Sequence, residues 1–316
     1  MLIPCFNEEA AIGKVVADLR AALPEAAIYV YDNNSSDRTV DVARGAGALV
    51  RRERHQGKGN VVRRMFADVE ADVYVLVDGD ATYDAASAHA MIARLLDERL
   101  DMLVAARVEK EEQAYRPGHR TGNRLLTGFL TTVFKSGFTD ILSGYRVFSR
   151  RFVKSFPALS GGFEIETELT VHALELELPV AEMPTPYYYA RLRGSASKLS
   201  TWRDGLRILM TIVSLYRSER PLAFFSAIGL AFAVVSVVLA IPIVVTYLER
   251  GVVPRLPTAV LSTGLMLLAS LSIVAGLVLD TVTRGRREAK LIAYLTQPSP
   301  GTVQLVTRKP GLVTAV

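Results

Sequence analysis

The chain has one cysteine, Cys5, and one tryptophan, Trp202, among its 316 residues. A single cysteine excludes an intramolecular disulfide framework and a zinc site built from several cysteines. The four histidines are scattered, and no two of them stand at the helical spacing of a metal-ligand pair. The sequence is therefore neither that of a small disulfide-stabilised secreted protein nor that of a zinc protein.

The chain also has little net charge for its size, since 37 Lys and Arg against 32 Asp and Glu leave +5. Hydrophobic residues make up 50% of it, which is high for a wholly soluble protein, and charged residues still reach 22%. This combination favours a soluble part joined to a membrane part over disorder. The pI is about 9.3, but no basic-aromatic platform is present, so we expect no nucleic-acid partner.

Two apolar segments lie near the C-terminus, at about 222–248 and 258–280, and they carry no charge as far as Leu248 and Leu279. A helix needs roughly 20 apolar residues to cross the hydrocarbon core of a bilayer. A short polar turn with two prolines separates the segments, so the sequence predicts a transmembrane hairpin over 221–282. A buried pair of helices in a soluble protein is the alternative.

Basic residues near the ends of the spans predict the orientation of this hairpin. They are concentrated on its two outer flanks, at Arg203, Arg207, Arg217, Arg220, Arg284, Arg286, Arg287 and Lys290. The connecting turn has only Arg250 and Arg255. We therefore expect a multi-pass protein of the inner (cytoplasmic) membrane, with residues 1–200 and both termini in the cytoplasm and no signal peptide ahead of residue 1.

Residues 201–220 are predicted to form a juxtamembrane amphipathic helix in the headgroup layer. The alternative is a helix of the soluble domain that packs on its core. Residues 283–316 are expected to form a basic cytoplasmic tail with a disordered end.

Residues 1–200 alternate strand and helix patterns, which is typical of an α/β domain with a mostly parallel sheet between helices. The clearest strands are Ala27–Tyr31, Val73–Val77 and Met102–Ala105, and the predicted helices are Glu9–Ala22, Arg38–Ala46, Gly59–Val69 and Ala85–Glu98. The first strand, at residues 1–3, is so short that it is either a stub or the remainder of a longer strand. In such sheets ligands bind beyond the carboxyl ends of the strands.

Polar groups follow two of these strands directly. Residues 32–37 (DNNSSD) follow the first, and Asp78-Gly79-Asp80 follows the second. Two carboxylates separated by one residue can hold a hard cation such as Mg²⁺ or Mn²⁺ through oxygen ligands. A solvated turn or a helix cap is the alternative for the same residues.

Six segments, taken in order, resemble family-2 glycosyltransferases, which have the GT-A (Rossmann-like) fold. Residues 3–9 (IPCFNEE) resemble the IPxYNE opening, residues 31–39 (YDNNSSDRT) the VDDGSxDxT segment, and residues 56–60 (QGKGN) the KGxG/S stretch. Residues 78–80 stand where the family has its DxD motif. Residues 140–148 (DILSGYRVF) are similar to the TDxxSGYRxF signature of polyprenyl-phosphate sugar synthases, and residues 191–198 to their RxxGxSK element. Asn33 and Asn34 depart from the family, since they replace its acid-glycine pair.

The resemblance implies a nucleotide-diphosphate sugar donor, a divalent cation and a polyprenyl phosphate acceptor. It implies catalytic roles for Asp78, Asp80 and Asp140, with Asp80 and Asp78 at the Mg²⁺ or Mn²⁺. Asp140 would act as a base or would only orient the acceptor. Nucleotide binding falls to Pro4, Asn7, Glu8, Asp32, Asn33, Lys58 and Asp78, and acceptor phosphate binding to Arg107, Arg120, Ser143, Arg191, Arg193 and Lys198. For Glu164, Glu166 and Glu168, sugar binding and a simple helix start remain equal alternatives.

We therefore expect a membrane-anchored, inverting hexosyltransferase that loads a sugar onto polyprenyl phosphate at the cytoplasmic membrane face, as a step in building the cell envelope. A UDP-sugar is favoured because the Asp-Asn-Asn segment departs from the mannose synthases, and GDP-mannose is the alternative donor. A glycan or protein acceptor, and a catalytically silent membrane scaffold with the same fold, are the alternative functions. Hairpin anchors of this kind often self-associate, so a homo-oligomer is a further expectation.

Overall fold

The computed structural model of the protein describes residues 1–109, 128, 138–162, 164–188, 210 and 213–300. The chain divides into two compact units. The first unit comprises residues 1–199 and 290–316, and the second comprises residues 200–289.

The first unit has a seven-stranded sheet with helices on both faces. Its strands are β1 Leu2–Cys5, β2 Tyr29–Asp32, β3 Leu49–Arg52, β4 Val73–Leu76, β5 Met102–Glu109, β6 Arg146–Ser149 and β7 Val180–Tyr187. Its helices are α1 Ile12–Ala22, α2 Thr39–Gly45, α3 Lys58–Asp68, α4 Ser87–Asp97, α5 Arg150–Ser155 and α6 Ile165–Glu175. The predicted mostly parallel α/β domain is confirmed.

The strands lie in the order β3-β2-β1-β4-β6-β5-β7. Only β6 pairs with its neighbours β4 and β5 in antiparallel fashion, whereas the other pairs are parallel. Because β6 runs against the rest, the segment that leads into it, 141–145, lies at the carboxyl ends of the parallel strands. This reversal brings a later part of the chain to the edge where ligands bind.

Several strands differ from the sequence expectations, and β6 and β7 were not among the predicted strands. The short β1 is a central strand, since it pairs with β2 from Leu2 to Cys5 and also contacts β4. Strand β3 was missed, because its residues Leu49, Arg51 and Arg52 are exposed at the edge of the sheet and lack an apolar alternation.

The two faces of the sheet bury different side chains. On one face α1 and α4 pack aliphatic residues such as Ile12, Val16 and Met91 against the strands. On the other face aromatic rings pack edge to face or stacked, with Phe66 of α3 against Phe148 of β6, and Phe148 against Phe152. A sheet covered on both faces has central strands that are apolar throughout.

The second unit contains the long apolar helix α7 Pro221–Arg250 and most of a second one, α8 Leu256–Leu295, whose last six residues belong to the first unit. Both are long and apolar enough to cross a membrane, judged by length and composition. The helices pack closely, since Ser236 Oγ donates to Ser262 O at 2.7 Å and Ser262 Oγ donates to Ser236 O at 2.9 Å. Reciprocal hydrogen bonds of this kind satisfy polar groups inside an apolar helix pair.

Parts of the other predicted segments fall outside the described residues. Of the amphipathic helix at 201–220, the structure describes residue 210 and residues 213–220, and 213–219 are helical. Helix α8 continues to Leu295, into the predicted basic tail, and residues 301–316 lie outside the description.

The burial of His172 in α6 leads us to expect that the stability of the first unit depends on pH. The ring is 1% exposed, between Phe152 and Phe156, and its Nε2 lies 3.0 Å from Ser155 Oγ. Burial, followed by the nearby Lys290 ammonium, lowers the pKa of His172 to about 3. The unfolded chain takes up this proton near pH 6.5, so the free energy of unfolding should fall as the pH drops below that value. The expected slope is about 1.4 kcal/mol per pH unit until the folded-state pKa is reached.

Chemical denaturation of the full chain in detergent between pH 7 and pH 4 measures this slope. His172→Gln should flatten it, because the variant has no proton to take up on unfolding. His89→Gln, the same change at an exposed position of α4, should leave the slope as in the wild type. Equal slopes in all three proteins would contradict the assignment.

Candidate active site

The loops after β1 and β2 are joined by hydrogen bonds at the carboxyl edge of the sheet. Asn7 N donates to Ser35 Oγ at 2.9 Å, and Ser36 N donates to Asn7 Oδ1 at 2.8 Å. Glu8 N donates to Thr39 Oγ1 at 2.8 Å. Asn7 has a left-handed backbone conformation (φ 57°), which asparagine tolerates better than most residues. These bonds bring the loop that follows Pro4 against the loop that follows Asp32.

Asp32, at the end of β2, is 3% exposed. Its Oδ1 accepts a hydrogen bond from Ser35 N at 3.1 Å, and its Oδ2 lies 3.9 Å from Arg52 Nε. Glu8 lies across the loop pair, where burial and the carboxylates of Asp80 and Asp78 raise its pKa to about 7. Negative charge is therefore concentrated on this side of the sheet edge.

Asn33 is buried, and its side chain bonds to the backbone of residues 53–57. Its Nδ2 donates to Glu53 O at 3.1 Å and to His55 O at 2.8 Å, and its Oδ1 accepts from Gly57 N at 2.7 Å. The sequence predicts a nucleotide contact for Asn33. In the structure its side chain holds the connection between β3 and α3, and the nucleotide contact stays a prediction.

Lys58, the first residue of α3, lies between two carboxylates. Its Nζ is 2.5 Å from Asp78 Oδ1 and 2.5 Å from Glu166 Oε1. Burial disfavours the ammonium, but the two carboxylates outweigh it and raise the pKa of Lys58 above its ordinary value. The three side chains form one ion cluster around the Lys58 ammonium, which brings together Lys58 and Asp78, two residues assigned to nucleotide binding from the sequence.

Glu166 was not assigned a role with Lys58 from the sequence, which left sugar binding and a helix start as alternatives. Glu168, two residues further along α6, has different partners. Glu168 accepts hydrogen bonds from Leu159 N and Ser160 N, both at 2.8 Å, and so holds the loop ahead of α6. Glu166 and Glu168 both lie in the first turn of α6, where acids also suit a helix start, so the sequence has no signal that singles out Glu166 as the partner of Lys58.

Asp80 lies beside the ion cluster, with its orientation set by the next residues of the loop. Its Oδ1 accepts from Thr82 N at 3.1 Å and from Thr82 Oγ1 at 2.6 Å. Burial and the charge of Asp78 raise the pKa of Asp80. A carboxylate that is crowded by another carboxylate gains from a nearby cation, so the donor set suits a hard divalent ion.

The protein oxygens at this point are few. Within the ranges that the structure describes, no cluster of three or more His, Cys, Asp or Glu side chains could hold a metal ion. A cation at Asp80 would therefore take most of its ligands from substrate oxygens and water, as Mg²⁺ commonly does.

Two glycines let backbone segments approach the acidic loop. A Cβ on Gly79 would lie 2.6 Å from Cys5 Sγ, and a Cβ on Gly144 would overlap the carboxylate of Asp78. Gly144 N also donates to Tyr83 OH at 2.9 Å. The segment before β6 is thus packed directly on Asp78.

Arg146 holds that segment in place from inside the core. The guanidinium is fully buried and donates to Ser143 O at 2.9 Å, to Ile141 O at 2.6 Å and to Thr170 Oγ1 at 2.9 Å. Burial lowers the pKa of Arg146 to about 10. Ser143, predicted to contact the acceptor, is itself fully buried in this loop. The sequence contained Arg146 in its SGYR motif but did not indicate this role.

Arg107 and Asp140 form a two-point ion pair. Arg107 Nε lies 2.7 Å from Asp140 Oδ2, and Arg107 Nη2 lies 2.8 Å from Asp140 Oδ1. Burial opposes ionisation, but the hydrogen bonds and charge of Arg107 prevail and lower the pKa of Asp140. Asp140 N in turn donates to Glu182 Oε1 of β7 at 2.9 Å. Arg107 lies within β5, because that strand extends to Glu109 and not to the predicted end at Ala105.

The remaining predicted acceptor residues lie outside the described residues: Arg120, Arg191, Arg193 and Lys198. Among the predicted site residues that the structure describes, Lys58 lies against Asp78, and Arg107 pairs with Asp140.

Comparisons with known proteins show what the chain is similar to. The family model for Glycosyl transferase family 2 matches residues 1–156. Glycosyltransferase AglJ of Haloferax volcanii is 31% identical over 294 residues, which cover 91% of this chain and 94% of that protein. A dolichyl-phosphate hexose transferase of the same organism is 27% identical over 215 residues, or 68% of this chain and 92% of that protein.

Solved structures show the same fold. Glucosyl-3-phosphoglycerate synthase of Mycobacterium tuberculosis, crystallised with Mn²⁺, UDP and phosphoglyceric acid, superposes with a TM-score of 0.54 at 19% identity. The match covers 67% of this chain and 76% of that one. At this identity the likeness establishes the fold of the first unit, which is the GT-A fold.

Gly144→Ala tests the close packing on Asp78. Because the added methyl group overlaps the Asp78 carboxylate, either the loop or Asp78 must move. We expect the free energy of unfolding to fall by about 1–3 kcal/mol, the range for overpacking a buried site, and catalytic activity to fall at least tenfold. Gly45→Ala is the control, since nothing lies within 4 Å of its added Cβ. Wild-type activity in Gly144→Ala would show that the contact is not needed.

Proposed function

Because the chain belongs to glycosyltransferase family 2, we propose that it moves a sugar from a nucleotide-diphosphate sugar to the phosphate of a polyprenyl lipid. The transfer is a single displacement that inverts the anomeric carbon. The observation that carries the proposal is the ion pair between Arg107 and Asp140, because it bears on the kind of nucleophile that the site can use.

A hydroxyl acceptor needs a general base whose pKa lies near the working pH. Asp140 is the carboxylate that the sequence suggests for this task, but both of its oxygens are bonded to Arg107 and its pKa is lowered. A carboxylate held in this way is a weak base. An oxygen of a phosphate monoester is already ionised at pH 7, so it attacks without giving up a proton to the protein.

The acceptor phosphate is negative, and so is the donor diphosphate, so the site must supply positive charge to both. Arg107 suits the acceptor, since a guanidinium has five N–H donors and Asp140 takes only those on Nε and Nη2. We assign Arg120, Arg191, Arg193 and Lys198 to the same task from the sequence. The name of the dolichyl-phosphate hexose transferase relative is consistent with a lipid phosphate.

We propose a UDP-sugar as the donor, with GDP-mannose as the alternative. Asp32 Oδ1 already accepts from Ser35 N, so Oδ2 is the better acceptor for a base. Uracil offers one ring N–H on its pairing edge, whereas guanine offers N–H groups at two adjacent positions and suits a carboxylate with both oxygens available. The related fold that was crystallised with UDP supports the same choice.

Asp80 would hold a Mg²⁺ or Mn²⁺ ion, with Asp78 beside it. When bound, the ion neutralises the charge that develops on the departing nucleoside diphosphate. The protein's own part is to hold Asp78 in place against Lys58 and to keep Asp80 oriented through Thr82. Pro4, Asn7 and Glu8 would line the nucleoside side of the site.

We propose that α7 and α8 cross the inner membrane, with the catalytic domain and both termini in the cytoplasm. The basic flanks of the two helices support this orientation under the positive-inside rule. A polyprenyl phosphate is itself confined to the membrane, so a membrane anchor keeps enzyme and acceptor in the same layer.

A donor panel tests the reaction. The purified full chain is incubated with polyprenyl phosphate, Mn²⁺ and each labelled nucleotide sugar, and we expect lipid-soluble label from one UDP-sugar. Asp80→Asn should lower the rate at least a hundredfold, because it removes a charge at the leaving group. Asp84→Asn is the control, since Asp84 accepts from Ser87 N and Ser87 Oγ at the start of α4. Its rate should stay within about threefold of the wild type, as expected for a substitution away from the reacting groups.

Two results would overturn this assignment. If the label appears on a glycan or a protein instead of the lipid, that molecule is the acceptor and the assignment of polyprenyl phosphate is wrong. Absence of turnover with every donor would favour a scaffold over an enzyme.

Cysteine labelling tests the membrane orientation. Cys5 is the chain's one cysteine and is buried, so a new thiol can be followed without removing it. Val253→Cys, in the exposed turn between the helices, should react with a membrane-impermeant maleimide in spheroplasts. Glu288→Cys, which is also exposed, should react only after lysis. Labelling of Glu288→Cys in intact spheroplasts would contradict the proposed orientation and support the opposite one.

A further inference from the structure

Asn33 and Asn34 stand where the family has its acid-glycine pair, and both bind the connection between β3 and α3. Asn33 makes three hydrogen bonds to the backbone of residues 53–57. We propose that Asn33 is a positioning residue for sugar transfer that acts through Lys58. The inference rests on the proposed function, because it assigns a task within the same site.

The bond from Gly57 N to Asn33 Oδ1, at 2.7 Å, fixes one side of the start of α3. The other side of Gly57 faces the loop at 160–162, where a Cβ would overlap Gly161 O. Gly57 has φ 127°, a conformation that glycine alone adopts readily. The residue directly before Lys58 is therefore held between Asn33 and a second stretch of backbone.

That second stretch is itself held firmly. Glu168 accepts hydrogen bonds from Leu159 N and Ser160 N, both at 2.8 Å, and Arg63 Nε donates to Ala158 O at 2.6 Å. Gly59 N donates to the carbonyl of residue 162 at 3.1 Å. Residues 158–162 are thus held by bonds from both α3 and α6. Gly57 can therefore move only on the side where it is bonded to Asn33.

A displacement of Gly57 reaches the ion cluster at once, because Lys58 is the next residue. The Lys58 ammonium lies 2.5 Å from both Asp78 and Glu166. A shift of the Lys58 backbone therefore changes both contacts. Asn33 thus determines where the ammonium stands and, through it, how Asp78 is presented beside Asp80.

The chemistry of the amide sets the requirement. Asn33 Nδ2 uses both of its hydrogens on Glu53 O and His55 O. A carboxylate of the same shape has no hydrogen to donate and would repel these two carbonyl oxygens. Asn33→Asp therefore releases residues 53–55 while it preserves the size of the side chain and an acceptor for Gly57 N.

A double-mutant cycle with Lys58→Met tests whether Asn33 acts through Lys58. In the wild-type background we expect Asn33→Asp to lower kcat/KM for transfer roughly 10–100-fold, the scale of a small misplacement in an active site. In the Lys58→Met background the same change should cost less than about threefold, since the group it positions is gone. Where Lys58→Met leaves too little activity, the cycle is read from the affinity for UDP in the presence of Mn²⁺.

Equal losses in both backgrounds would overturn the proposal, because a general loss of stability does not depend on Lys58. Asn33→Ala, which removes the donors without adding charge, is carried through the same cycle and should show the same coupling. Asn34→Asp is the matched control. Its Nδ2 donates to Arg54 O at 2.9 Å and to Gln56 Oε1 at 3.2 Å, both in an exposed setting, and not to Gly57, so kcat/KM should change less than about threefold.

Hydrogen exchange separates this inference from the proposed function. The amide of Gly57 should exchange at least about tenfold faster in Asn33→Ala than in Asn34→Asp, because Asn33→Ala removes the oxygen to which Gly57 N donates. If the wild type transfers no sugar, the proposed function fails, and this comparison still decides whether Asn33 holds the loop. Equal exchange in the two variants would overturn the positioning role.

Discussion

The buried contact of the Lys58 ammonium with the carboxylates of Asp78 and Glu166 is the interaction on which the rest of the site depends. It ties together the start of α3, the loop after β4 and the first turn of α6. Removing one partner of a buried ion group leaves an uncompensated charge, which costs far more than the group contributes when complete. The three segments must therefore keep their places if the acidic loop is to remain ordered.

Close backbone approach surrounds this contact, and polar side chains support it. Gly57, Gly79 and Gly144 each stand where a Cβ would meet another group at short range. Asn33 and Arg146 are buried, and each satisfies several backbone carbonyls that would otherwise be left without donors. An amide or guanidinium inside the core is tolerated because its hydrogens are used, and it then fixes the loops to which it is bonded.

The charges of the site fall into two groups with different chemistry. Around Asp80 the carboxylates crowd one another, which favours a bound cation. Around Arg107 the positive charge is paired with Asp140, which is in turn bonded to Glu182 through its backbone. A nucleophile that is already ionised fits the second group, and a glycosyltransferase whose acceptor is a phosphate has no need of a strong base.

The alternation of apolar runs in the sequence was enough to predict a mostly parallel sheet covered by helices, acids at the strand ends and two long apolar helices, because these features depend on local spacing. It was not enough to predict β3, the antiparallel β6, or the partners of Glu166, Asn33 and Asp140. Lys58 and Asp78 are 20 residues apart, and Arg107 and Asp140 are 33 apart. Which charge meets which across such separations is decided by how the strands are ordered and how closely the loops pack, and only the tertiary structure contains that information.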